Sequence, residues 1–99
     1  MKDCERFSWI ADDMTKCIVC GSRHGIEYHE VYFGSKRNLS IKYGMVVPLC
    51  AECHRGTNGV HGKNGHELDT DLKRKGQFVF EKVYPDLEFI KIFGKNYKE

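Results

Sequence analysis

Two cysteine pairs, Cys17-Ile-Val-Cys20 and Cys50-Ala-Glu-Cys53, constrain this chain more than any other feature, and His54 follows the last of them directly. A C-x-x-C pair sets two thiolates on one tight turn, close enough to bind the same cation. Two such pairs complete a tetrahedral four-sulfur shell, a donor set that favours Zn²⁺. Cys17, Cys20, Cys50 and Cys53 are therefore expected to hold a structural zinc. The 29 residues between Cys20 and Cys50 must leave that metal and return to it.

A chain of 99 residues is expected to form one domain, residues 1–99, with no room for a second core. It is 40% hydrophobic and 30% charged, which fits a folded rather than a disordered polypeptide. Ten glycines leave few residues for regular structure, and a small, loop-rich domain usually needs a metal or disulfides. The odd count of five cysteines, their paired spacing and the lack of a signal-peptide pattern argue against a disulfide framework. A reducing, cytoplasmic setting is expected, with no membrane span. Cys4, left over from the pairs, reads as a free thiol. A net charge of +2 does not announce a nucleic-acid binder. Lys36, Arg37 and Lys42 nevertheless fall between the pairs, and Arg55 and Lys63 flank the second. The mixed charges from Glu67 to Lys75 read as a solvated face.

Phe7, Ile10 and Met14 have helical spacing and predict a short amphipathic helix over 3–14, with Trp9 as a packing residue. Cys17–Gly21 reads as a zinc knuckle. Ile26–Phe33, β-branched and aromatic, reads as a strand. Ser35 is placed to cap a helix over Lys36–Tyr43 that ends at Gly44. Met45–Leu49 reads as a second strand, with Pro48 at its end or edge. A helix from Ala51 breaks in the Gly56–Gly65 region. A longer one is expected from about Glu67 to Lys82, weakened at Gly76 and ended by Tyr84-Pro85. Asp86 is placed to cap a last helix over Leu87–Phe93 that buries Leu87, Ile90 and Phe93. No internal repeat is apparent. The fold class expected is small α+β and metal-stabilised: a β-hairpin and a helix around a four-cysteine zinc, with flanking helices.

The motifs Cys17-x₂-Cys20, Tyr28-His29-Glu30-Val31, Leu49-Cys50-x₂-Cys53-His54 and Gly59-Val60-His61 together resemble the HNH (ββα-metal, treble-clef) nuclease superfamily in its zinc-stabilised form. The resemblance covers residues 17–61, with 66–93 as a helical C-terminal extension, and extends to the small HNH proteins of bacteriophages. It implies a metal-dependent endonuclease that hydrolyses DNA phosphodiester bonds. A catalytic divalent ion (Mg²⁺, Mn²⁺, Ni²⁺ or Zn²⁺) would stabilise charge, and a histidine on the first strand would deprotonate water. His54 matches the ligand that opens the family's helix, and His61 the second helix-borne ligand. Seven positions and two intervening glycines separate them.

On the first strand two registers stay open. With Val31 at the family's apolar position, His29 is a metal ligand and Glu30 takes the base position. Shifted by one, His29 is the base and Tyr28 stands where a ligand belongs. Adjacent strand residues point to opposite faces, so His29 and Glu30 cannot both aim at one phosphate from a flat strand. Glu30 is then a substitute base, a ligand, or a carboxylate that orients an imidazole. Nine residues before His54, where the family has an asparagine, this chain has Met45. Asn38 is an alternative, and the helix over 36–43 is the expected brace for the strand's end. His24 and His66 read as exposed or supporting residues. Lys36, Arg37, Lys42 and Arg55 are candidates to neutralise backbone phosphates. Against the nuclease stands a treble-clef zinc module that binds DNA or a protein without cutting. A redox role for the C-x-x-C pairs is weaker, because two pairs share one metal more naturally than they relay electrons. A homodimer or a larger phage assembly would suit double-strand cutting.

Overall fold

The computed structural model describes residues 7–98. Cys4 and the first part of the predicted N-terminal helix lie outside them. Residues 7–16 form bends and turns rather than a helix. The Trp9 backbone N–H donates to the Gly44 carbonyl (3.0 Å), and the indole N–H donates to the Tyr84 hydroxyl (3.0 Å). The Ile10 and Ala11 N–H groups donate to the Ser8 hydroxyl oxygen (3.0 and 2.9 Å), so these backbone bonds go to a side chain and a distant carbonyl instead of along a helix, and Trp9 remains half exposed.

The described elements run in the order β1 (Ile26–Glu30), α1 (Arg37–Tyr43), β2 (Val46–Cys50), α2 (Ala51–Arg55), α3 (His66–Val83) and α4 (Phe89–Phe93), with a 3₁₀ turn at Gly34–Lys36 leading into α1. This is a small α+β arrangement. β1 and β2 form a two-stranded antiparallel sheet in the register Ile26 with Cys50, His29 with Val47 and Glu30 with Val46. The Val31 N–H donates to the Met45 carbonyl at 3.0 Å. Hydrogen-bonded pairs alternate in an antiparallel ladder, so His29/Val47 is bonded and Tyr28/Pro48 is not. Pro48 therefore sits in the middle of β2 without costing a ladder bond, and its carbonyl accepts the Ile18 N–H (2.9 Å). All five residues of β2 are buried.

β1 ends at Glu30, three residues earlier than predicted, because Tyr32 turns to a different partner. The buried Ser40 hydroxyl of α1 donates to the Tyr32 carbonyl (2.7 Å) and accepts the Tyr32 N–H (3.0 Å). The α1 brace is thus made by Ser40. Ser35 makes no cap, and Lys36 stands at the N-cap position.

α3 runs unbroken through Gly76. A Cβ there would lie 2.6 Å from the Tyr32 hydroxyl, which reaches past the helix to donate to the Lys73 carbonyl at 2.5 Å. The glycine admits Tyr32, and that contact offsets its low helix propensity. α4 is shorter than expected. Phe89 and Phe93 are buried, whereas Leu87 and Ile90 are exposed, and Glu88 rather than Asp86 precedes the helix. Phe89 and Phe93 join Tyr32, Tyr43, Phe80 and Tyr84 in edge-on and tilted ring pairs. A single core cluster draws on residues from Ile10 to Phe93, so the C-terminal helices complete the core. Among the described residues, no helix is long and apolar enough to cross a membrane.

Between α2 and α3 the chain builds a ladder of three-residue turns. The N–H groups of Gly59, Gly62 and Gly65 donate to the carbonyls of Gly56, Gly59 and Gly62. This Gly-x-x spacing is a local repeat that the sequence reading passed over. The turns are cross-linked at seven-residue separation: Val60 N–H to Cys53 (2.9 Å), His61 N–H to His54 (3.1 Å) and Asn64 N–H to Thr57 (2.8 Å). The strands of this ladder lie so close that a Cβ on Gly62 or Gly65 would fall 1.9 or 1.6 Å from a backbone carbonyl oxygen. Gly65→Ala is expected to cost roughly 1–3 kcal/mol, as overpacking does, and to displace His61. Thermal unfolding of the variant measures the cost, and an unchanged midpoint would contradict this packing.

Candidate functional site

Among the described residues, two groups of side chains able to hold a metal ion stand in this frame. In the first, Cys17 and Cys20 sit on one turn, while Cys50 ends β2 and Cys53 lies on α2. The Cys50 sulfur also accepts the Cys53 N–H at 3.5 Å, capping α2. All four sulfur atoms lie within 4.8 Å of one another, and the Cys20 and Cys50 sulfurs are 3.6 Å apart. A zinc–thiolate tetrahedron with bonds of about 2.3 Å has sulfur–sulfur edges of about 3.8 Å. The four cysteines therefore fit a structural metal ion. Burial opposes the Cys17 thiolate, but backbone N–H donors of Cys20, Cys50 and Val19 outweigh it and bring the thiol down to about 6. Burial, followed by the neighbouring thiols, pushes Cys53 up. Four thiolates at this spacing need a cation between them.

The second group is His29, His54 and His61. β1 carries His29, α2 carries His54, and the glycine ladder carries His61. The ladder solves the problem set by a separation of seven positions, because the His61–His54 backbone bond folds the chain back by that number of residues. The three rings stand nearly equidistant, with centroids 5.1, 5.0 and 5.0 Å apart. One nitrogen from each lies within 4.8 Å of the other two. Exposure is graded: His29 is buried, His54 half-buried and His61 exposed. His29 Nε2 is buried and has no hydrogen-bond partner. A buried ring nitrogen without a partner among the described residues calls for one, and an ion shared with His54 and His61 could supply it.

Burial, then the charges of His54, His61 and Lys73, hold His29 down at about 3. Burial likewise lowers His61. Both rings therefore favour the neutral, metal-ligating form. With the cysteine metal in place and no ion at the histidines, the sign follows directly. The unfolded chain protonates His29 below its ordinary value of about 6.5, whereas the folded chain does not until about 3. Stability is lost as pH falls through that window, at up to about 1.4 kcal/mol per pH unit from this residue. Denaturant titrations between pH 6.5 and 5.5 should show a shallower slope for His29→Asn. Equal slopes would remove the assignment.

The other predicted residues are distributed as follows. Glu30 is not part of the histidine group, and its carboxylate lies 3.4 Å from Arg37 Nε. Arg55 donates to Glu27 through Nε (3.0 Å) and a terminal nitrogen, and its side chain is otherwise largely exposed. Lys42 is exposed, with its ammonium 5.3 Å from the Tyr43 ring centre, and Lys36 is half-buried. Met45 is fully buried, Asn38 is exposed on α1, and His24 and His66 are exposed.

Several neighbours of the histidines went unnoticed in the sequence. Glu27 accepts from His54 Nδ1 at 2.6 Å, and its strand spacing of two from His29 was the available signal. Phe33 packs against His61 (4.9 Å) and His29 (5.8 Å). The Lys73 ammonium lies 4.2 Å from the Phe33 ring centre and is paired with Asp69 at 3.0 Å. Nothing in the local sequence links Lys73 to residues forty positions away.

What fold and sites define is a small α+β chain with a four-cysteine cluster able to hold a structural metal ion. No family model, curated protein or solved structure matches it.

Proposed function

We propose that the chain is a metal-dependent endonuclease of the HNH type, acting on DNA phosphodiester bonds. Residues 17–61 would be its ββα-metal, treble-clef-like finger, and His29, His54 and His61 the ligands of the catalytic ion. The observation that carries this reading is the meeting of three imidazoles from β1, α2 and the glycine ladder, with one ligand nitrogen of each within 4.8 Å of the others. An ion bound there supplies charge neutralisation at a phosphate and activation of water. Three imidazoles with no carboxylate in the set favour Zn²⁺, Ni²⁺ or Co²⁺ over Mg²⁺.

The chain's own residues divide the remaining work. His29 is buried and faces the cluster, which favours it as a ligand over a solvent-reaching base. His61 is exposed and marks the side from which a phosphate approaches. Phe33 walls the cluster, and Lys73, paired with Asp69, packs over the Phe33 ring and holds it there. Nicking of supercoiled plasmid tests the reading, with the zinc-loaded protein assayed with and without added Ni²⁺, Mn²⁺ or Mg²⁺. Ion-dependent conversion to open circle is expected, and no conversion with any ion would reject it.

A second reading rests on Met45. Where the family has a polar asparagine, this side chain is wholly inside the core. A zinc module that binds DNA or a protein without cutting accounts for that directly. It predicts duplex retention in a gel shift with no nicking.

A further inference from the structure

Arg55 stands next to a proposed metal ligand and invites assignment as a phosphate contact. Its geometry gives it a second task. Glu27 lies between Arg55 and His54, with Oε1 2.6 Å from His54 Nδ1 and 3.0 Å from Arg55 Nε, while Oε2 takes a second bond from the guanidinium. The guanidinium is therefore engaged along one edge, and both carboxylate oxygens are spoken for.

We infer that Glu27 and Arg55 form a positioning clamp on His54, holding its imidazole with the proton on Nδ1 so that Nε2 is the nitrogen offered to the histidine cluster. A carboxylate only accepts, so at 2.6 Å the neutral ring must donate, and donation from Nδ1 leaves Nε2 unprotonated. Arg55 fixes the carboxylate in turn. A bidentate guanidinium sets both the rotation and the plane of its partner, which a lysine could not do. The clamp also ties β1 to α2 beside the site, since Glu27 is a strand residue and His54 and Arg55 are helical. Carboxylates that orient ligating histidines alter metal affinity by 10- to 100-fold. This inference rests on the histidine cluster being a metal site, but the tautomer itself can be read without any metal.

Two measurements on the zinc-loaded protein test it. The ¹⁵N shifts of the His54 ring report which nitrogen carries the proton. A Co²⁺ titration, followed by visible absorption, reports the affinity of the second site. Glu27→Ala should move His54 toward the Nε2-protonated tautomer and weaken Co²⁺ binding about 10- to 100-fold. Glu27→Gln, which keeps an oxygen acceptor, should retain the tautomer, and Arg55→Ala should weaken Co²⁺ binding by less than Glu27→Ala. An unchanged tautomer and unchanged Co²⁺ affinity in folded Glu27→Ala would overturn the clamp. Wild type that takes up no second ion would instead reject the metal-site reading, and the His54 shifts would still decide whether Glu27 sets the tautomer.

Discussion

His54→Ala and His29→Ala are each expected to reduce plasmid nicking to background, a fall of about 100-fold or more, while leaving the zinc content near one equivalent. An ion at the cluster is worth several kcal/mol of charge stabilisation, and each 1.4 kcal/mol is a factor of ten in rate. Losing one of three imidazoles takes away both affinity and the ion's placement. The two variants should differ in stability. His54 is half-buried on a short helix, and its loss exposes Glu27 to solvent at small cost. His29 is buried in a well-packed sheet, and truncation leaves a cavity beside Val47 and Phe33. His29→Asn is therefore the fairer test of chemistry, because it keeps a polar side chain of moderate size. Glu30→Gln is the informative companion. If Glu30 supplied the base, its loss would be as severe as that of His29. With its carboxylate turned toward Arg37, the expected change is under tenfold. Nicking that survives His29→Asn and His54→Ala together would sink the nuclease proposal.

The elements were legible where chemistry is local. The cysteine spacing placed both turns, Gly44 ended α1 with φ of +75°, and Tyr84-Pro85 stopped α3. What escaped was decided by distant partners. The N-terminal segment has helical periodicity, yet the Trp9 N–H goes to Gly44 and the Ile10 and Ala11 N–H groups go to the Ser8 hydroxyl oxygen. On α4 Phe93 is buried as expected, but Leu87 and Ile90, which have the right spacing, are exposed. Only the Tyr32–Phe80 aromatic cluster, built from other parts of the chain, selects Phe89 and Phe93. The histidines show the same divide. His29 and His54 could be named from motif and spacing. That His61 reaches them depends on the glycine ladder, whose carbonyl-to-glycine approaches have no signature beyond the glycines themselves. Glu27 was readable as a neighbour of His29 on one strand face. Its partnership with Arg55 was not, since the two lie 28 positions apart and meet only through the fold.

Removing the cysteine-held metal should have the larger structural effect. Structural zinc bound by cysteine-rich sites contributes about 10–16 kcal/mol in apparent terms, against a total stability of about 5–15 kcal/mol for a domain of this size. If the four cysteines carry that share, Cys50→Ser leaves no cooperative unfolding transition. Cys50 does three tasks at once: it ends β2, caps α2 through its sulfur and faces Cys20 at 3.6 Å. A strong chelator at neutral pH should produce the same loss in wild type, reversed by one equivalent of Zn²⁺. The order of effects is informative. His54 follows Cys53 immediately, so release of the cysteine metal frees α2 and disperses the histidine cluster. His54→Ala, in contrast, leaves the cysteine cluster intact. Metal content by mass spectrometry and the thermal transition by circular dichroism check both directions. A Cys50→Ser protein that unfolds cooperatively at the wild-type midpoint, with no bound zinc, would show that the aromatic core alone holds the fold.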